Sequence, residues 1–250
     1  MVSKKDIQAT CDDIVREFDP LQVILFGSHA YGTPTEDSDV DLLVVMDIPE
    51  SETTRQAGEI GQRIPHRFSL DLLVRSPQEI AYRVSHNDWF LREITEKGEV
   101  LYGQLDSLDT TFIKEEGQMN PLTLEWVEKA EEDYITVELL LPSPISSKSV
   151  ICFHAQQCIE KYLKAWLQEA NIPAPRTHKL EDLLNLIVPS IPEWQAWNQD
   201  FSTLSNHAVD IRYPGKSATA ENLEHAVKTC EIVRNAVRKS LKLTQVDTGE

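Results

Sequence analysis

Apolar positions follow two different periods along the chain, and the change of period divides it. Up to about residue 103, short apolar runs of strand length are separated by amphipathic helical segments. After about residue 120, strand-like runs vanish and long segments of helical spacing follow one another. The pattern predicts an α+β domain, a mixed sheet with flanking helices, followed by an all-α helical bundle. The predicted parts are the α+β domain (residues 1–103), a linker (104–120), the bundle (121–241) and a frayed tail (242–250).

Turn residues, prolines and glycines place the elements within these parts. In the first part, strands are predicted over residues 21–26, 40–46, 68–74 and 100–102. Helices are predicted there over residues 4–18, 51–63 and 77–97, and a polar loop joins the first two strands. In the bundle, prolines separate helical segments predicted over residues 121–140, 147–170, 178–188, 193–210 and 218–241.

Charge and composition narrow the possible functions. The net charge is -17, with 24 Lys and Arg against 41 Asp and Glu, and neither half of the chain is basic. Because nucleic-acid affinity comes mostly from basic residues that neutralise phosphates, an extended nucleic-acid surface is not expected. No apolar run has the length of about 18 residues that a membrane span needs, and no secretory signal is recognisable, so we expect a cytoplasmic protein without membrane contact. The four cysteines form no CxxC pair and are expected to be reduced and structural.

Three aspartates interrupt otherwise apolar strands. Asp39 and Asp41 are two residues apart at the start of a predicted strand, so their side chains are expected on the same face. Asp71 lies within the next predicted strand, in the string FSLDLLV. Like charges in an apolar setting need a cation to offset their repulsion and desolvation. These three carboxylates therefore predict a site for Mg²⁺ or Mn²⁺, which can clamp the attacking and leaving oxygens of a nucleotidyl transfer.

A Gly-Ser pair precedes these aspartates at a fixed distance. In the string GSHAYGTPTEDSDVD, ten residues separate Gly27-Ser28 from Asp39-Val40-Asp41. Either motif alone also occurs in turns and at solvated strand ends. Together they resemble the minimal nucleotidyltransferases of the DNA polymerase beta superfamily, whose signature is Gly-Ser, ten residues and DxD. The resemblance covers residues 1 to about 103.

That resemblance implies a role for each matching position. Asp39 and Asp41 would hold the metals, and Asp71 would complete the site and help to activate the nucleophile. The Gly-Ser turn would hold the triphosphate of an NTP, so the expected nucleotide-binding residues are Gly27, Ser28, His29 and Ser38. Family members often carry basic residues just after the Gly-Ser pair, whereas this chain has His29 and Tyr31 there. Triphosphate contacts are therefore expected to be weaker or to come from elsewhere.

The helical half resembles HEPN domains. The resemblance rests on three segments of the sequence: FHAQQCIEKYLKAWL from Phe153 to Leu167, THKLEDLL from Thr177 to Leu184, and IRYPG from Ile211 to Gly215. Some HEPN domains are ribonucleases in which Arg is followed four to six residues later by His. Here the order is reversed, because His207 precedes Arg212, so the ribonuclease signature is not met.

Several residues of the helical half keep two interpretations. His207, Arg212 and Tyr213 either line a groove or have a structural role at a helix end, and Tyr213 is also a conceivable acceptor. The roles of His154, Lys161 and His178 stay equally open from the sequence.

The favoured hypothesis is a metal-dependent transfer of a nucleoside monophosphate, AMP first, from an NTP to a hydroxyl or amine of a small molecule or protein. One alternative is a nucleotide-binding regulatory module of toxin-antitoxin type that does not catalyse. Another is a HEPN ribonuclease restrained by the N-terminal domain. A homodimer through the helical half is also expected from the HEPN resemblance.

Overall fold

The computed structural model describes residues 2–65, 67–103, 118–143, 145–210 and 217–243, with the side chains of residues 206–210 outside the description. The chain forms two compact units, Met1–Lys114 and Glu115–Glu250. Most of the predicted linker and tail falls outside the described residues, so those two boundaries stay predictions.

A four-stranded mixed sheet forms the centre of the first unit. The strand order is β3-β2-β1-β4, with β2 and β3 parallel and the other two pairs antiparallel. The strands are β1 (Gln22–Phe26), β2 (Val40–Val45), β3 (Leu70–Arg75) and β4 (Glu99–Gly103). The helices are α1 (Lys4–Phe18), α2 (Ser28–Tyr31), α3 (Glu50–Arg63), α4 (Pro77–Ser85) and α5 (Trp89–Lys97). The predicted α+β architecture is confirmed.

Each face of the sheet has its own apolar core, because successive strand residues point to opposite faces. One face packs against α1 and α3, and the other packs against α4 and α5. The first core contains Ile7, Cys11, Ile14, Val23, Leu25, Val40, Leu42, Val44, Ile60 and Val74. The second contains Ile24, Phe26, Leu43, Val45, Ile80, Val84, Leu91 and Ile94. Central strands buried on both sides explain the continuous apolar runs of the sequence.

A buried carboxylate ties α1 to the chain that precedes β3. The Asp13 carboxylate forms ion pairs with Arg16 and Arg67, each at 2.6 Å. Hydrogen bonds from Arg67 and Arg16 lower the pKa of Asp13 below its ordinary value. The Asp13 carboxylate therefore stabilises the contact between α1 and the segment that contains Arg67.

Two local features of the first unit differ from the sequence prediction. The polar loop after β1 contains the short helix α2, because the Gly27 carbonyl accepts hydrogen bonds from the backbone N–H groups of Ala30 and Tyr31. The helix predicted over residues 77–97 is broken into α4 and α5. Asn87 adopts φ 60°, and the side chain of Asp88 then accepts the backbone N–H of Leu91 as an N-cap.

The second unit is the predicted helical bundle. Its α-helices are α6 (Pro121–Leu140), α7 (Lys148–Glu169), α8 (Leu180–Ile187), α9 (Asn198–Asp210) and α10 (Ala220–Ser240). A 3-10 helix, Pro192–Trp197, leads into α9, where the sequence pattern predicts one continuous segment. Helix α7 is the central element and packs against α6, α8, α9 and α10. The fully buried Tyr162 and Phe201 are among the largest side chains of this core.

A charged cluster joins three helices of the bundle. Glu131 of α6 accepts two hydrogen bonds of 2.8 Å from Arg234 of α10 and one of 3.1 Å from Arg238. The hydroxyl of Tyr162 on α7 also donates to Glu131. The paired guanidinium groups allow this carboxylate to lie at the edge of an apolar core.

All four cysteines are free and buried, as the sequence predicts for structural thiols. Burial is the main cause that raises the pKa of Cys11 to about 12. Within the described residues, no helix combines the length and the apolar character that a membrane span requires.

Candidate functional site

Asp41 and Asp71 lie side by side in adjacent parallel strands. They are Cα partners in the register of β2 and β3, so their Cα atoms are about 4.8 Å apart and their side chains share one face. It is the face that Leu43 and Val45 of β2 and Leu73 of β3 occupy towards α4 and α5. Asp41 is half-buried and Asp71 is exposed, which places the pair at the open rim of this core. The structure thus brings two of the three predicted carboxylates together.

Asp39 lies just outside the sheet. Strand β2 begins at Val40, whose N–H donates to the Ser69 carbonyl at 3.0 Å, and the Asp39 side chain is exposed. Among the residues that the structure describes, no group of three or more His, Cys, Asp or Glu side chains is arranged to hold a metal ion. The three aspartates are neighbours along the strand ends, but they do not form a closed three-carboxylate cage.

The donor set nevertheless suits Mg²⁺. This ion is usually held by one or two carboxylates and completes its shell with water and substrate phosphates. Asp41 and Asp71 on one face would offer two hard oxygen ligands, and the exposed Asp71 leaves this edge of the sheet accessible to solvent. The chemistry and placement of these side chains therefore fit a metal that binds together with a phosphate ligand.

Gly27 sits directly against the Asp41 carboxylate. Its φ is 69°, and a Cβ atom at this position would lie 2.1 Å from Asp41 Oδ2. Phe26, the preceding residue, is the Cα partner of Asp41 across β1 and β2. The turn that carries Gly27 and Ser28 therefore lies beside the paired aspartates, and only glycine combines this backbone with this close approach.

A second turn closes the loop between α2 and β2. The Ser38 hydroxyl accepts the backbone N–H of Thr35 at 2.8 Å, and His29 Nε2 donates to the Ser38 carbonyl at 3.3 Å. His29 and Ser38 thus connect the Gly-Ser turn to the segment that leads into Asp39. Both residues have a role in holding the loop, and their contact with a nucleotide stays a prediction.

Helix α5 lies next to the turn that carries Gly27 and Ser28. The ring of Phe90 meets the ring of Phe26 edge-on, with centroids 5.7 Å apart, and Phe90 is 37% exposed. Two helical turns further on, Lys97 Nζ lies 6.0 Å from the ring centroid of Tyr31, the last residue of α2. Neither Phe90 nor Lys97 is among the site residues predicted from the sequence, and their spacing of seven places them on one helix face.

The undecided residues of the helical unit are held by buried carboxylates. His154 Nδ1 lies 2.7 Å from Asp133 Oδ1, and Lys161 Nζ lies 2.5 Å from Asp133 Oδ2. On another side of α7, Glu160 Oε1 forms an ion pair with Lys164 Nζ at 2.8 Å, and His178 Nδ1 lies 3.2 Å from the same oxygen.

These contacts favour structural roles for His154, Lys161 and His178, because each satisfies a nearly buried acid.

The candidate groove residues of the helical unit lie largely outside the residues that the structure describes. His207 belongs to α9, but its side chain is outside the described residues. Arg212 and Tyr213 are outside the described residues altogether. Both interpretations of this trio stay predictions.

Two family models match the sequence. Residues 9–149, more than half of the chain, match the nucleotidyltransferase domain, and residues 123–240 match the HEPN domain. The two matches overlap over residues 123–149. They confirm both resemblances that the motifs indicate. The sequence has no significant match among curated proteins.

Solved structures of both kinds are similar to this chain. A spectinomycin adenyltransferase from Enterococcus faecialis, determined with ATP and spectinomycin, is 13% identical, covers 94% of this chain and all of its own, and has a TM-score of 0.48. An archaeal HEPN homologue is 22% identical over 48% of this chain and 97% of its own, with a TM-score of 0.38. A nucleotidyltransferase-like protein from Exiguobacterium sibiricum is 11% identical over 94% of this chain and 78% of its own, with a TM-score of 0.41.

Proposed function

Because the chain belongs to the nucleotidyltransferase domain family, we propose that it transfers a nucleoside monophosphate from an NTP to an acceptor, with AMP as the first candidate. The acceptor would carry a hydroxyl or an amine and would be a small molecule or a protein. The observation that carries this proposal is the pairing of Asp41 with Asp71 on one sheet face, beside the Gly27-Ser28 turn.

Each residue of the site has a role in the proposed reaction. Asp39 and Asp41 would hold the divalent metal, and Asp71 would complete its protein ligands and accept the proton of the acceptor. The acceptor oxygen or nitrogen bonds to the α-phosphorus of the NTP, the bond from that phosphorus to the bridging oxygen breaks, and pyrophosphate leaves. Bound Mg²⁺ would supply charge neutralisation for the attacking and leaving oxygens.

The Gly-Ser turn has the task of holding the triphosphate. Gly27 allows the backbone to pass against Asp41, so that phosphate bound at Ser28 lies close to the carboxylates. His29 supports the turn through its hydrogen bond to the Ser38 carbonyl. Asp71 is exposed, so an acceptor can approach its carboxylate from solvent.

The test uses the full chain with each of the four NTPs labelled at the α-phosphate, in the presence of Mg²⁺. We expect pyrophosphate release and label transfer to the protein or to an added candidate acceptor. Asp41→Asn should lower the rate by at least about a hundredfold, because it removes a metal ligand of the reacting centre while preserving size. Asp47→Asn, a change at an exposed aspartate just after β2, is the matched control and should leave the rate unchanged.

The outcomes separate the hypotheses. An Asp41→Asn variant as active as the wild type would refute the assignment of the site. Tight NTP binding without turnover would instead select the non-catalytic regulatory module, and RNA cleavage by the chain would select the ribonuclease.

A further inference from the structure

The proposed triphosphate site lies in a strongly acidic segment. Residues 27–41 contain four acidic side chains, Glu36, Asp37, Asp39 and Asp41, and no Lys or Arg. A triphosphate placed here would meet these like charges, which the Mg²⁺ of the proposed reaction would offset only in part, so a basic side chain from another part of the unit would strengthen its attraction to the site. Residues 27–41 hold no Lys or Arg, so such a side chain has to come from another segment of the fold.

Lys97 brings a basic side chain to this loop from α5. Its Nζ lies 6.0 Å from the Tyr31 ring centroid, at the outer limit of a cation–π contact. Ser28 and Tyr31 are three residues apart on α2, so their side chains are neighbours on one face, with Cβ atoms about 5–6 Å apart. The Tyr31 ring therefore links Lys97 to the short helix that begins at Ser28.

The position of α5 beside the turn is fixed at two points. A Cβ atom on Gly98 would lie 2.4 Å from Ile24 Cγ2 and 3.2 Å from the Leu25 carbonyl oxygen, so the end of α5 packs directly on β1. At the other end of α5, Phe90 packs against Phe26. Since β1 leads straight into Gly27, the helix that carries Lys97 is held against the strand that positions the turn.

The Lys97 side chain is held only weakly in its present contact. It pairs with Glu93 at 3.2 Å, and the two side chains are 59% and 38% exposed. Exposed pairs of this kind contribute little, and an incoming triphosphate is a more highly charged partner. Lys97 can therefore exchange Glu93 for phosphate oxygens without loss of a packed core contact.

We propose that Lys97 is a triphosphate-binding residue of this chain and replaces the basic residues that the Gly-Ser loop lacks. The inference rests on the proposed function, because it assigns a further residue to the same site. Lys97 would contact the triphosphate as a point charge, and Tyr31 would position it at the turn.

The experiment measures binding by calorimetry to the full chain, with three probes: ATP with Mg²⁺, inorganic tripolyphosphate, and adenosine. Lys97→Gln should weaken ATP and tripolyphosphate binding by about tenfold, the effect of losing one hydrogen bond to a charged group, and leave adenosine unchanged. Lys97→Arg should keep most of the affinity. Glu93→Gln should tighten both anions by about twofold, because it releases Lys97 and removes a negative charge.

Lys5→Gln is the matched control. Lys5 is an exposed lysine in α1 of the same unit, so its loss changes the net charge equally and should leave both affinities near the wild-type values. A loss at Lys5→Gln equal to that at Lys97→Gln would show a general field effect and overturn the proposal. So would a Lys97→Gln variant that binds both anions as tightly as the wild type.

Failure of the two proposals can be told apart. If the wild type transfers a nucleoside monophosphate but Lys97→Gln keeps its anion affinity, only the assignment of Lys97 fails. If the wild type binds ATP through Lys97 without any transfer, only the proposed function fails. If the wild type binds neither ATP nor tripolyphosphate, both are overturned.

Discussion

Replacement of Gly27 by alanine tests the close approach between the Gly-Ser turn and Asp41. Gly27 has φ 69° and ψ −149°, a backbone region that is essentially open to glycine alone. Holding alanine there costs on the order of 1–3 kcal/mol. The new Cβ would also lie 2.1 Å from Asp41 Oδ2, so the carboxylate must move by roughly 1.3 Å before ordinary contact is restored.

The two effects have different readouts. The strain should lower the melting temperature of the first unit by about 4 °C for each kcal/mol, as expected for a unit of this size. The displaced carboxylate should lower nucleotidyl transfer by about a hundredfold, the scale on which a misplacement of about 1 Å acts in an active site. Differential scanning calorimetry and the labelled-NTP assay measure these effects separately.

Gly58→Ala is the internal control for this substitution. Gly58 is exposed within α3, and a Cβ atom there would meet no heavy atom within 4 Å. Alanine should therefore stabilise the same unit by about 0.5–1 kcal/mol, because it improves helix propensity. A Gly27→Ala variant that melts at or above the wild-type temperature would show that neither backbone strain nor the close approach to Asp41 constrains this position.

Two further predictions concern stability. Glu131→Ala should destabilise the helical unit by about 3 kcal/mol, since it leaves Arg238 and the Tyr162 hydroxyl without their shared carboxylate. Glu132→Ala is the control: Glu132 forms an exposed ion pair with Lys129, so its loss should change stability by less than about 0.5 kcal/mol. Urea unfolding measures both variants, and equal effects would contradict the stabilising role of the charged cluster. Asp13→Asn should be less stable than the wild type at neutral pH, because Arg67 and Arg16 stabilise the ionised carboxylate of Asp13. The difference in stability should shrink as the pH falls below the ordinary aspartate pKa of about 3.9 towards the lowered pKa of Asp13, where the carboxylate becomes protonated in the folded protein too. A gap between the two unfolding midpoints that is the same at pH 7 and at about pH 3 would count against that assignment.

The α+β class of the first unit, the all-α class of the second and most of their helices and strands were predictable from short-range patterns in the sequence. Helix α1 and strand β2 start within a residue of their predicted positions, because apolar periodicity and a turn residue mark each boundary. The break between α4 and α5 was missed, since Asn87 and Asp88 form a left-handed residue and an N-cap inside a pattern that otherwise continues. The candidate aspartates are also predictable from the sequence, because charged residues within or beside an apolar strand stand out there.

The remaining features of the site depend on which segments the sheet brings together. Asp41 and Asp71 are thirty residues apart in the chain, and only the parallel register of β2 and β3 makes them partners. Lys97 is an ordinary lysine at the end of a helix until the packing of α5 on β1 sets it beside Tyr31.

The sequence by itself thus determined the two-part architecture, the strands that carry carboxylates and the motif that indicates the chemistry, because those signals are local in the chain. The tertiary structure alone decided which carboxylates face each other, why residue 27 must be glycine and which lysine reaches the turn. These are contacts between distant segments, and they follow from strand register and helix packing, which no local pattern encodes.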